Sequence, residues 1–466
     1  MFHHALFRTA LRASVLALAV LSPASPQTGG FGGPASLGSA EPSGDGALPS
    51  IRPWLNLGGM YTRNLSGVDA SAAAFRNTTG YYSATVSGGV VGSKALERGS
   101  VAAGYAIGSA FNNSHSANGV SQTGTLQFDH MFTERSAIGV RALGGSSYGG
   151  YGYGSGFGGI WGIAPASGIW SSSLAATPGG SGMLLQDPAD NGLVDGEAFD
   201  TRASFGSVNA SYLYNFSQRV SAIVGGGGGV VRRSGKGLPG LNTGGASAQI
   251  NYRFTQRLFV GGYYGYGQFT YPGLFGGNDI HSAGVIMGYT LGKRSSVEFS
   301  ARAFRFHSSY VGSVAIDPEI AAILGVASVS EVKDVTRYGP EVGVGYNYRF
   351  PVGNLMLRYN RGFNPGNGAV LASTRDNILA SYGFGNRRVS AGIHSSIQRY
   401  RSLTRLGGDQ DLRQLSGSVS TRFWRGLYFT TAGGIRNIQL GVQPSRYQAF
   451  ATVGISITPG SFPLGF

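Results

Sequence analysis

The sequence predicts an all-β protein, and three observations support this fold class. Glycine accounts for 79 of the 466 residues, which disfavours helices because each glycine in a helix interior costs about 1 kcal/mol. Apolar and small polar residues alternate along much of the chain, as they do in strands with one apolar face. One local pattern, an aromatic pair followed by a tight polar turn, recurs seven times and indicates a structural repeat.

Composition excludes several classes of protein. Charged residues make up only 12% of the chain, although the net charge is +15, and so few charges are not typical of a disordered protein. The sequence has no cysteine, so it forms no disulfide, thiolate metal site or cysteine nucleophile. No nucleic-acid-binding motif accompanies the basic charge, and we expect no nucleic-acid partner.

The N-terminus has the pattern of a secretory signal peptide. Arg8 and Arg12 precede an apolar run over residues 13–21, which is too short to span a bilayer and is followed by small residues. We therefore expect a signal peptide over residues 1–24. Residues 25–50, rich in Gly, Pro, Ser and Ala, are expected to form a flexible leader, and residues 51–466 a single folded domain.

The recurring pattern places aromatic residues at one end of each strand pair. In copies such as SYLYNFSQRVSAIV and GYNYRFPVGNLMLRY, Tyr and Phe stand two residues apart, so their side chains share one face of the strand. Residues of the same parity, such as Val208 and Ala210, are apolar, whereas Ser207 and Asn209 between them are polar. The predicted aromatic girdle consists of Tyr214, Phe216, Tyr252, Phe254, Tyr289, Tyr348, Phe350, Tyr382, Phe384 and Phe423.

Such alternation with an aromatic girdle is typical of a transmembrane β-barrel, which has an apolar outside and a polar lumen. Tight turns alternate with longer connections, and eight tight turns imply sixteen strands plus one at each end. We therefore predict a transmembrane antiparallel β-barrel of about 18 strands, with 16 as the nearest alternative. Short turns would lie in the periplasm and long loops outside the cell. A soluble, exported all-β protein is the competing interpretation.

With these features, residues 51–466 resemble bacterial outer-membrane β-barrel proteins of the porin-like kind. The resemblance is architectural and rests on the girdle, turn and signal patterns. It implies a location in the outer membrane of a Gram-negative bacterium, contact with outer-membrane lipid and lipopolysaccharide, and insertion by the outer-membrane assembly machinery. Such proteins often end in a strand with a terminal aromatic residue. Here Phe466 is the last residue, but Pro459 and Pro463 are expected to interrupt strand pairing before it.

The predicted lumen is rich in arginine. Strand parity places ten arginines on the inner face with only three acidic residues, Asp129, Glu298 and Glu341. Such an excess concentrates anions, although the high arginine content can also be a matter of composition alone. The predicted pore-lining residues are Arg141, Arg253, Arg302, Arg337, Arg349, Arg358, Arg375, Arg422, Arg436 and Arg446.

Two long connections are candidates for narrowing the pore. In connection 309–336, Asp317 can cap a short helix that Gly325 ends, and this helix either folds into the lumen or lies outside. Connection 148–200 begins with Gly and aromatic residues and ends with carboxylates whose spacing does not match an EF-hand, so we expect no metal and no cofactor. The candidate constriction residues are Asp317, Glu319, Glu331 and Asp334.

Taken together, the residues predict a channel for passive diffusion of small hydrophilic solutes, with anions as one class of solute. One alternative is a non-conducting structural or export-associated barrel that anchors or guides surface polysaccharide. Another is a surface enzyme, but Asp129 and His130 are adjacent and point to opposite faces, and no catalytic motif is present. The oligomeric state stays open, with a trimer as one alternative.

Overall fold

A computed structural model describes most of the chain from Ser50 onwards. The described residues are 50–64, 81–112, 119–148, 202–234, 240–272, 276–315, 328–364, 372–385, 388–403, 409–440, 445–458 and 462–463. The expected signal peptide and nearly all of the leader lie outside them. Within the described ranges, no helix is long and apolar enough to cross a membrane.

The described residues form one antiparallel sheet of 18 long strands and one two-residue strand. The strands are β1 (Ser50–Asn64), β2 (Tyr81–Leu96), β3 (Gly99–Asn112), β4 (Gly119–Thr133), β5 (Ser136–Tyr148), β6 (Arg202–Asn215), β7 (Val220–Arg233), β8 (Leu241–Arg253), β9 (Leu258–Thr270), β10 (Asn278–Thr290), β11 (Ser295–Ala315), β12 (Ser328–Arg349), β13 (Gly353–Asn364), β14 (Ser373–Gly385), β15 (Val389–Ser402), β16 (Gln410–Trp424), β17 (Leu427–Leu440), β18 (Arg446–Ile457) and β19 (Phe462–Pro463).

The sheet closes into a barrel because β1 pairs with β18, from Leu55 opposite Ile457 to Asn64 opposite Gln448. After closure, every one of the 18 long strands pairs with a neighbour on both sides, as a membrane-spanning sheet requires. The predicted 18-stranded barrel is confirmed. Beyond β18, Pro463 pairs with Ser50, so the expectation that this proline interrupts pairing is wrong. Proline is tolerated there because only one strand pairs with it.

Three of the eight short connections owe their shape to a hydroxyl residue near their start. Thr133 Oγ1 accepts hydrogen bonds from the backbone N–H groups of Arg135 and Ser136, at 3.2 and 3.0 Å. Ser217 and Thr255 make the same pair of bonds in the next two tight turns along the chain. These hydroxyl-to-backbone bonds stabilise a tight reversal of the chain. The eight short connections lie at 97–98, 134–135, 216–219, 254–257, 291–294, 350–352, 386–388 and 425–426.

The connection predicted at 309–336 is shorter than expected. The ladder between β11 and β12 continues from Ser309 opposite Asp334 to Ala315 opposite Ser328. Residues 328–335 include Val329, Val332 and Val335, and β-branched residues favour continued strand pairing over a loop. The connection therefore spans only 316–327.

Contacts across the sheet identify the concave face. Phe269 of β9 and Phe306 of β11 stack with ring centroids 6.0 Å apart. Side chains from strands that are not neighbours converge only on the inside of a curved sheet, so these residues line the barrel interior. Residues of the opposite parity expose large apolar side chains on the convex face, among them Leu57, Val86, Ile107, Leu126, Val208, Ile250, Val285, Leu415 and Val453.

Glycines on the concave wall make room for large neighbouring side chains. A Cβ at Gly339 would lie 2.5 Å from the ring of Phe304, and one at Gly89 would lie 2.9 Å from the ring of Trp54. Inward aromatic rings therefore lie flat against the wall over these glycines. This packing gives a local reason for part of the glycine content.

Candidate channel lumen

The strand register places the ten predicted pore-lining arginines on one parity. Residues directly opposite each other in an antiparallel ladder share a face. Arg141, for example, stands opposite Gln127 and Asn209, and Arg302 stands opposite Glu341. Arg52 and Arg233 share the concave parity and were missed because both lie near strand ends. The ten occupy concave register positions on β5, β8, β11–β14 and β16–β18: Arg141, Arg253, Arg302, Arg337, Arg349, Arg358, Arg375, Arg422, Arg436 and Arg446.

These arginines lie at different heights along the barrel. Arg253, Arg349 and Arg422 stand next to tight turns, where Arg422 Nε donates to the carbonyl oxygen of Trp424 at 3.2 Å. Arg436 lies toward the opposite rim, and its Nε donates to Gln448 Oε1 at 2.7 Å. The arginines thus form no single ring, and a role of all ten in lining a conducting path stays a prediction.

A charged network lies on the concave wall between β9 and β13. Glu341, whose side chain is fully buried, lies with Oε2 3.8 Å from Arg302 Nε. Ser282 Oγ donates to the same oxygen at 2.7 Å, and the backbone N–H of Phe363 donates to Oε1 at 3.3 Å. The guanidinium of Arg302 lies 4.8 Å from the ring centre of Tyr263. The positive charge of Arg302 is therefore balanced by the carboxylate of Glu341.

The other two acidic residues of the predicted lumen have separate surroundings. Glu298 and Arg358 both stand opposite Gly345, from the two sides of β12, so their charges lie near each other. Asp129 is buried and accepts a hydrogen bond from Gln127 Nε2 at 2.8 Å. The acidic charge of the wall is thus held close to arginine or amide donors, and cationic side chains predominate on this face.

Next to this network the concave wall carries an apolar cluster that the sequence did not predict. The ring of Phe363 lies 5.3 Å from Phe306, 5.4 Å from Phe269 and 5.9 Å from Phe304. Phe304 and Phe306 are almost completely buried. The cluster consists of Leu143, Phe205, Val231, Leu241, Phe269, Tyr271, Ile280, Phe304, Phe306, Phe363 and Ala372.

The side chain of Phe363 reaches the barrel interior because the end of β13 is no longer paired with β12. Pairing between β12 and β13 ends at Val342 opposite Arg361, whereas the ladder to β14 continues to Asn364 opposite Ser373. Asn364, Ala372 and Ser373 are fully buried. Both ends of the β13–β14 connection therefore pack on the inner wall.

The acidic residues predicted to form a constriction are not brought together on the lumen side. Glu331 and Asp334 are three residues apart in β12 and lie on opposite faces of the ladder. Asp334 Oδ1 accepts a hydrogen bond from Ser309 Oγ at 2.5 Å. Asp317 and Glu319 lie outside the described residues. Within the described part of the chain, the segments that pack inward here are the end of β13 and the start of β14, with Phe363, Asn364, Ala372 and Ser373.

The predicted girdle residues lie on the convex parity next to the tight turns. Three of the Tyr–Phe pairs meet edge to face, with ring centroids 4.9 Å apart for Tyr214 and Phe216, 4.7 Å apart for Tyr252 and Phe254, and 4.5 Å apart for Tyr348 and Phe350. Tyr289 is 39% exposed. Contact of these rings with lipid headgroups stays a prediction.

The described residues also bear on the enzyme alternative. Asp129 lies on the concave face, while His130 packs between Phe128 and Phe132 on the other face, at 6.0 and 5.2 Å. Within the ranges that the structure covers, no group of three His, Cys, Asp or Glu side chains is placed to hold a metal ion.

A closed antiparallel barrel with an apolar convex face and a largely polar concave face has the architecture of a transmembrane β-barrel. No model of a known protein family matches the sequence, and no curated protein matches it. Solved structures with a similar fold include OccAB4 of Acinetobacter baumannii, with 10% identity, a TM-score of 0.38 and coverage of 88% of this chain and 98% of that one. OpdQ of Pseudomonas aeruginosa has 9% identity, a TM-score of 0.39 and coverages of 88% and 99%. The FrpB iron transporter of Neisseria meningitidis has 8% identity, a TM-score of 0.41 and coverages of 84% and 62%.

Proposed function

We propose that the protein is an outer-membrane channel for passive diffusion of small hydrophilic solutes, with a preference for anions. The observation that carries this proposal is the charge of the concave register, where twelve arginines and Lys333 stand against Asp129, Glu298, Glu331 and Glu341. A wall with excess cationic groups lowers the energy of an anion in a narrow polar passage. The guanidinium group also matches carboxylate and phosphate geometry.

The inward-packed ends of β13 and β14 support a narrowed passage. They hold Phe363 and Ala372 against the inner wall, and Phe363 is tied to Glu341 through its backbone. A solute would pass between this segment and the arginines on the remaining wall. This geometry favours small solutes over large ones.

Ion selectivity tests the anion preference. The reversal potential of the purified protein in a planar bilayer under a salt gradient is expected to show anion selectivity. The double variant R141Q/R358Q should move it toward zero, whereas R305Q, on the convex parity of β11, should leave it unchanged. Cation selectivity of the wild type, or equal effects of the two variants, would overturn the proposal.

The second candidate is a non-conducting structural or export-associated barrel, and the buried apolar cluster favours it. Phe304 and Phe306 are almost completely shielded on a face that an open pore would expose to water. Single-channel recording separates the two functions, since an occluded barrel shows no discrete conductance steps. Contacts with lipopolysaccharide and with the assembly machinery belong to both candidates.

A further inference from the structure

Seven of the eight tight turns contain an arginine in the connection between the two strands. These turn arginines have no role in the proposed channel. The backbone carbonyl of the turn arginine accepts a hydrogen bond from the end of an adjacent strand, as in Asn215 N–H to Arg135 at 2.7 Å and Arg253 N–H to Arg219 at 2.8 Å. The same bond recurs at Arg98, Arg257, Arg294 and Arg388. The turn arginines are Arg98, Arg135, Arg219, Arg257, Arg294, Arg388 and Arg425.

These arginines form a basic rim. All seven are exposed, and Lys293 adds a further positive charge. Glu97 and Glu134 are the acidic residues in the same turns. The backbone bonds fix six of these arginines at an equivalent place, and Arg425 stands next to Gly426, which accepts the corresponding bond from Thr458. The charges therefore lie at one level around the barrel.

The rim borders the aromatic girdle directly. Phe132, Phe216 and Phe254 come immediately before three of the turns and are more than half exposed. Phe423 and Trp424, 70% and 76% exposed, stand in the same place before Arg425. Exposed aromatic rings of a barrel mark the boundary between acyl chains and headgroups, so the arginines lie at the depth of the headgroup phosphates.

We propose that this rim binds the phosphate groups of anionic phospholipids in the leaflet next to the tight turns. Arginine forms paired hydrogen bonds with phosphate oxygens, and clustered basic residues at a membrane surface are attracted to anionic lipid. A second copy of the chain is a poorer occupant, because the same positive rim on both copies would repel itself. The proposal is independent of whether the lumen conducts.

Trp424 is a natural reporter of the lipid beside the rim. With Trp54, Trp161 and Trp170 replaced by phenylalanine, the protein is placed in bilayers of phosphatidylcholine and phosphatidylglycerol. Quenching of Trp424 by brominated phosphatidylglycerol is then compared with quenching by brominated phosphatidylcholine. The ratio of the two gives the local preference for the anionic lipid.

The test variant is R388Q/R425Q, and its matched control is R399Q/R413Q. Arg399 and Arg413 are exposed convex-face residues of β15 and β16, the strands that begin or end beside the two rim arginines. They stand roughly 10 residues further along these strands, about 25 Å toward the other rim, beyond the screening length of about 10 Å. We expect R388Q/R425Q to lower the preference about 30-fold, since each basic residue contributes about 1 kcal/mol. The control should leave it unchanged.

Other outcomes would overturn the proposal. These are a wild-type protein without preference for phosphatidylglycerol, or equal losses in the test and control variants. R388K/R425K should keep most of the preference, and a full loss in this variant would show a structural effect instead. If inorganic phosphate removes the preference and chloride at equal ionic strength does not, the rim binds free anions and not lipid.

Discussion

Glu341 is the residue on which the inner wall depends most. Its carboxylate is fully buried and holds Arg302, Ser282 and the backbone of Phe363 together. Losing one partner of a buried ion pair leaves the other charge uncompensated, which costs several kcal/mol. No sequence pattern could predict this contact, because Ser282 and Glu341 are 59 residues apart and meet only through the curvature of the sheet.

We expect E341Q to lower the free energy of unfolding by about 3 kcal/mol, because Arg302 would keep its charge without a counter-ion. E134Q, at an exposed turn position, should change it by less than about 0.5 kcal/mol. Urea titrations of both variants in the same lipid measure the difference. Equal stability of the two variants would contradict the role assigned to Glu341.

Gly339 offers a second test at the residue scale. A valine here would place its Cβ against the ring of Phe304, which β-sheet neighbours hold in place, so G339V should destabilise the protein by about 2 kcal/mol. Gly262 is the matched control, since a Cβ there would meet nothing within 4 Å. In urea titrations the free energy of unfolding should be clearly higher for G262V than for G339V. The reverse order would contradict the packing described for Phe304.

At the scale of elements, the sequence predicts strands and turns well because each follows a local rule. The Phe-Ser-Gln-Arg and Phe-Thr-Gln-Arg turns after Tyr214 and Tyr252 carry both the aromatic parity and the hydroxyl that shapes the turn. The inward course of β13 follows no such rule. Phe363 has the parity of outward residues, and it turns inward only because the ladder to β12 stops at Arg361.

The inward-packed end of β13 is expected to set the width of the lumen. F363A removes a ring that packs between Phe269, Phe304 and Phe306, so single-channel conductance should rise by about half or more if the segment loosens. The control is F384A, an aromatic residue of the predicted girdle on β14. An unchanged conductance in F363A, or an equal rise in F384A, would place the constriction elsewhere.

For the whole molecule, closure predicts how the protein migrates in a gel. An intact barrel resists dodecyl sulfate until it is heated, because its backbone hydrogen bonds have no open edge to start unfolding. We expect the unboiled protein to run faster than the boiled one. A chain that ends after Leu440 lacks β18 and should run at one position with or without boiling. Identical mobility of the full chain in both conditions would contradict a closed barrel.

The seam between β1 and β18 has a consequence for biogenesis. Leu55 and Ile457 are about 400 residues apart in sequence, so the ring stays open until nearly all of the chain has been exported. During that time β1 exposes unpaired backbone N–H and C=O groups next to an apolar face. This combination promotes aggregation. The newly exported chain therefore needs a chaperone in the aqueous compartment. The chaperone must keep β1 from pairing with other polypeptide chains until β18 is available.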